Sequence, residues 1–114
     1  MRAEDHPEQS ARIAALQDLQ ILDTPIERES DEIVQLASRI CEAPISVINL
    51  IDTARQWFKA EVGLGTRETP LDTSICAHVI LADDLTIVPD TLDDPRFSDN
   101  PLCTSEPNLR FYAG

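Results

Sequence analysis

Cys76 and His78 are of the residue types that nucleophilic chemistry needs, a thiol and a base close in sequence. A thiolate becomes reactive when a neighbouring base or cation lowers its pKa. Their spacing works against such a pair. Residues two apart on an α-helix are turned by roughly 200° about the axis, so their side chains do not meet. In an extended segment they would share a face. Thr73 or Ser74 can cap a short helix in which Ile75, Cys76, Val79 and Ile80 share one side. That helix makes Cys76 a buried, poorly reactive thiol and sets His78 off the stripe. Asp90, Asp93, Asp94 and Arg96 read as a wet, loop-bracing charge set, whereas an acid–base pair needs an apolar pocket to separate two carboxylate pKa values. Gly63-Leu-Gly65 lacks the further glycine, the lysine and the helix start of a phosphate loop. The histidines His6 and His78 and the cysteines Cys41, Cys76 and Cys103 show no zinc-like spacing, so neither a metal nor a cofactor is expected. The cysteines are expected as reduced thiols, Cys41 within a helix core and Cys103, between Pro101 and Pro107, the most accessible.

These residues need elements to position them. Residues 1–9 are expected as a flexible N-terminus and 10–114 as one domain. Ile13, Leu16 and Leu19 recur at helical spacing, predicting a helix over 8–22. Ile33, Leu36, Ala37, Ile40 and Cys41 form a continuous stripe that predicts a second helix over 27–42, docked by that stripe. Ile45–Ile51 is apolar on both faces and reads as a strand covered on both sides. A turn at Asp52–Arg55 leads into an alternating strand with Phe58, Ala60 and Val62 inward and Trp57, Lys59 and Glu61 outward. Residues 63–73 read as a loop, Leu85–Val88 as a short strand, Asp94–Phe97 as a capped helical turn broken by Asn100-Pro101, and Leu109–Tyr112 as the start of another strand. Two helices followed by an antiparallel hairpin define an α+β domain with helices packed on a sheet.

Acidic residues outnumber basic ones 21 to 9, for a net charge of −12, which disfavours nucleic acid and anionic lipid as partners. No apolar run reaches the roughly 18–20 residues of a membrane span, and the N-terminus lacks a signal-peptide core, so a cytoplasmic domain is expected.

The ordered blocks Asp52-Thr-Ala-Arg-Gln-Trp-Phe-Lys-Ala60, Gly63-Leu-Gly65, Arg67-Glu-Thr-Pro70 and Ser74-Ile-Cys-Ala-His78 resemble the GAF domains of bacterial sensor histidine kinases and diguanylate cyclases. The likeness continues through Val88-Pro-Asp90, Asp94-Pro-Arg-Phe97, Asn100-Pro-Leu102 and Arg110-Phe-Tyr-Ala-Gly114. It implies an antiparallel sheet flanked by helices, of which this chain is the N-terminal two-thirds, the closing strands falling beyond Gly114. It implies a regulatory module, not itself an enzyme, that biases an attached kinase or cyclase by binding a small molecule or by dimerising. Trp57, Cys76, His78, Asp90 and Tyr112 are the ligand contacts it suggests. Terminal-helix residues Leu16 and Leu19 are the dimer contacts. Free methionine-(R)-sulfoxide reductases share the fold, and a thiol enzyme using Cys76 and Cys103 is the alternative reading.

Overall fold

In a computed structural model all residues from Met1 to Gly114 are described, and the chain divides into two compact units. One is Glu8–Thr69; the other joins Met1–Pro7 to Pro70–Gly114.

The first unit contains helices α1 (Gln9–Leu19) and α2 (Arg28–Ile40) and strands β1 (Ser46–Ile51), β2 (Arg55–Val62) and β3 (Glu68–Pro70). The strands form one sheet in the order β1-β2-β3, β1 and β2 antiparallel. Helices and hairpin fall where the hydrophobic periods place them, and Glu29 and Asp31 at the start of α2 with Arg39 at its end suit the helix dipole. The Asp52 N–H donates to the Arg55 carbonyl at 2.9 Å, closing the hairpin turn.

Glu68–Pro70, read as part of a loop, is strand β3, and two further sequence expectations change here. α2 packs on β1 and β2, but the residue it buries is Val34. Ile33, Leu36 and Ile40 stay 59%, 58% and 71% exposed, and Cys41 is exposed as well. At 100° per residue the centre of the apolar stripe lies roughly 90° around the helix from Val34, so the sheet takes the edge of the apolar arc and leaves its middle bare. The second change is a β-bulge. Ile48 pairs with Ala60 and Asn49 with Phe58, leaving Lys59 without a cross-strand partner. Adjacent β1 residues point to opposite faces, so Phe58 and Ala60 cannot share the one expected of them. Trp57 and Lys59, assigned outward, are 2% and 3% exposed.

The second unit is held by a core of Ile75, Val88, Phe97 and Cys103, with Val79, Leu109 and Tyr112 packed against it. Its elements are α3 (Cys76–Val79), β4 (Ile87–Val88), α4 (Pro101–Thr104) and β5 (Tyr112–Ala113), with 3-10 turns at Leu71–Thr73 and Thr91–Asp93. β4 and β5 pair antiparallel as a two-stranded sheet. Ser74 Oγ accepts from the Ala77 N–H at 3.0 Å, capping α3. Asn100-Pro101, expected to break a helix, opens one instead. Asn100 Oδ1 accepts from the Leu102 N–H at 2.9 Å, and Pro101 takes the first-turn position where its missing N–H costs nothing. Met1 and Arg2 are tied to this unit, the Arg2 guanidinium meeting the Asp72 carboxylate at 2.5 Å.

Candidate functional site

Of the five candidate ligand contacts the structure joins two. Cys76 Sγ lies 3.3 Å from the Tyr112 hydroxyl, across 36 positions of sequence. β5 carries Tyr112 to this place by pairing with β4, and the start of α3 presents Cys76. His78, two residues on, turns away as helical spacing requires. Its Nε2 lies 2.6 Å from the Met1 carbonyl oxygen, and its ring stands edge-on to Phe97 at 5.1 Å. Asp90 serves its own loop, its carboxylate accepting from the Leu92 N–H at 3.0 Å, and it lines a cleft with Ile87, Val88, Pro89, Asp93 and Asp94. Trp57 belongs to the other unit, buried, with the Arg67 guanidinium 4.7 Å from its ring centroid.

A phenol is the polar neighbour that Cys76 has here, and the thiol is half-buried rather than buried as expected. Cys103 is not the accessible thiol of the three. It is fully buried in the core, and the exposed one is Cys41. Pro101 turns the segment into a helix whose inward face carries Cys103. Burial first, and then the adjacent Cys76 thiol, push the Tyr112 phenol well above the usual tyrosine range.

That shift has a spectroscopic consequence, because Tyr112 is the only tyrosine. An unfolded phenol ionises near pH ~10, whereas the folded one holds its proton beyond it. The contribution to stability is complete below the unfolded value and is lost as pH rises past it, where only the unfolded chain releases the proton. The phenolate absorbance band should therefore be missing from the native protein at pH about 10.5 and appear on addition of denaturant. A native protein half-ionised near pH ~10 would contradict the Tyr112 environment.

Sequence reasoning missed a cationic grip on the segment joining α1 to α2. Lys59, in the bulge, donates from Nζ to Thr24 Oγ1 and the Pro25 carbonyl, both at 2.8 Å, and to Glu27 Oε1 at 3.2 Å. Arg67 donates to the Thr24 carbonyl at 3.0 Å. Arg55 makes a two-pronged pair with Asp23, at 2.9 and 2.8 Å, and also reaches Asp52 and Glu68. The hydrogen bond with Asp23, then that with Glu68, raises the Arg55 pKa, and Arg55 in turn lowers that of Asp23. One signal was available: three of only nine basic residues fall between 55 and 67, following an acid-rich stretch at 23–32. No group of three or more His, Cys, Asp or Glu side chains converges as a metal cage.

Residues 25–114 match the GAF domain family, and the chain belongs to it. It is also 39% identical over 115 aligned positions to a cyclic di-GMP phosphodiesterase of Pseudomonas aeruginosa. The match takes in all of this chain but only 20% of that protein. No helix is long and apolar enough to cross a membrane.

Proposed function

We propose that this chain is a cytoplasmic regulatory module that pairs with a second copy of itself and biases an attached signalling output. The carrying observation is α2: Ile33, Leu36 and Ile40 form an exposed apolar strip along more than one turn of a helix already docked by another side. A second copy suits that strip. Antiparallel pairing about the point between Leu36 and Ala37 sets Ile33 of one chain over Ile40 of the other. It also brings Glu32 within one turn of the opposing Arg39, so the flanking charges attract. Of the two α1 residues expected at a dimer contact, Leu19 is exposed, whereas Leu16 is buried and is not available to a partner.

Of the outputs that the resemblance suggests, a histidine kinase or a diguanylate cyclase, the phosphodiesterase relative favours one that makes or breaks cyclic di-GMP. A small-molecule ligand would act on the same equilibrium by binding one arrangement more tightly than the other.

Sedimentation of the chain carrying Leu36→Asp and Ile40→Asp tests the pairing. Each buried aliphatic side chain contributes about 1.5–3 kcal/mol, so dimer affinity should fall by more than about 100-fold while circular dichroism is unchanged. In the full-length protein the same pair should alter cyclic di-GMP turnover. A wild-type chain that sediments as a monomer at every concentration overturns the pairing, and turnover indifferent to the variant overturns the coupling.

A further inference from the structure

The open side of β4 has the makings of a docking edge. Thr86 and Gly114 exchange both backbone hydrogen bonds, Thr86 N–H to Gly114 O at 2.7 Å and Gly114 N–H to Thr86 O at 3.0 Å. In an antiparallel ladder the next pair, Ile87 with Ala113, is then the non-bonded kind. The Ile87 N–H and C=O therefore point away from β5, and Leu85, two positions earlier, has the same parity. No third strand lies there, because this sheet holds only β4 and β5. Pro89, next in that parity, has no N–H, so a strand added here bonds at Leu85 and Ile87 and stops.

The side chains around this edge are apolar and acidic together. Leu85, Ile87 and Leu92 are exposed, and a cleft of about 250 Å³ runs beside Ile87, Val88, Pro89, Asp90, Asp93 and Asp94. Residues 81–94 hold five aspartates and no lysine or arginine. Arg96 pairs with Asp94, whereas Asp83, Asp84, Asp90 and Asp93 take part in no ion pair. Two copies meeting edge to edge would set these carboxylates against each other, which argues against self-association at this place. A nucleic acid would be repelled in the same way.

We propose that this edge binds an extended segment of another protein in which apolar residues alternate with lysine or arginine. Backbone groups of the segment complete the ladder at Leu85 and Ile87. Its apolar side chains cover Ile87 and Leu92, and its cations meet Asp90 and Asp93. Main-chain bonds supply the attachment and the carboxylates select the charge.

The test uses the chain itself and a blocked peptide of about eight residues alternating valine with lysine, followed by fluorescence anisotropy and amide exchange. The peptide should bind, and the amides of Leu85 and Ile87 should become protected. Asp90→Asn with Asp93→Asn, which keeps the Oδ1 acceptor for the Leu92 N–H, should weaken binding by about 10-fold, and so should raising salt from about 0.05 to 0.5 M. N-methylation of alternate peptide amides, which leaves the protein untouched, should cost about 10-fold or more. A glutamate–valine peptide should not bind. Absence of binding, equal binding of the N-methylated peptide, or protection that spares Leu85 and Ile87 overturns the proposal. So does concentration-dependent protection of those amides without peptide, the sign of a second copy at the edge.

Discussion

Truncation of Phe97 to alanine is expected to cost about 3–5 kcal/mol in urea denaturation, the largest loss from any single side chain in the Pro70–Gly114 unit. Phe97 has no exposed surface and stands at the centre of the core with Ile75, Val88 and Cys103. Its ring also meets the edge of His78, and the Arg96 guanidinium lies 4.9 Å from its centroid. The expected cost combines the lost transfer of the ring from water with the cavity it leaves. α4 is fixed by its Asn100 cap, and β4 and β5 by their two-stranded ladder, so none of them is free to close over that cavity. Phe97→Leu should retain most of the stability by filling most of the space. A Phe97→Ala loss below about 1.5 kcal/mol would show that the core does not depend on this ring.

The Gly63→Ala chain should lose about 2–4 kcal/mol, from strain and collision together. Gly63 has φ +89°, and a Cβ placed on it would lie 2.1 Å from the Pro44 carbonyl oxygen and 3.2 Å from Ile45 Cγ1. The obstruction is backbone, which moves only if the entry to β1 moves with it. Gly65 separates the two causes. Its φ is also positive, +72°, but nothing lies within 4 Å of its would-be Cβ. Gly65→Ala should therefore cost only about 1 kcal/mol, the conformational share alone. Chemical denaturation of both variants side by side checks this, and equal losses would mean that the Pro44 contact is not a constraint.

Much of this protein was legible from its residues because the features concerned are local. Periods of 3.6 and 2 depend only on near neighbours along the chain, and they located α1, α2, β1 and β2. The glycines at 63 and 65, the Ser74 cap and the separation of Cys76 from His78 are likewise settled within a few residues. The ordered blocks from Asp52 to Gly114 were enough to name the family.

Tertiary structure decided what depends on a distant partner. A helical stripe states which residues are apolar but not what will cover them, so only packing shows that α2 docks by Val34 and leaves Ile33, Leu36 and Ile40 outside. A bulge is one residue's mismatch between two strands and is invisible in either alone. At Lys59 it inverted the expected facing of β2, and there a buried ammonium grips Thr24, Pro25 and Glu27 from more than thirty positions away. The fates of the thiols follow the same rule. Cys41 lies on the uncovered helix arc, Cys103 inside a turn that Asn100 and Pro101 convert to helix, and Cys76 against a tyrosine brought by strand pairing. Local spacing sets what a side chain is able to do, and long-range packing sets what it meets.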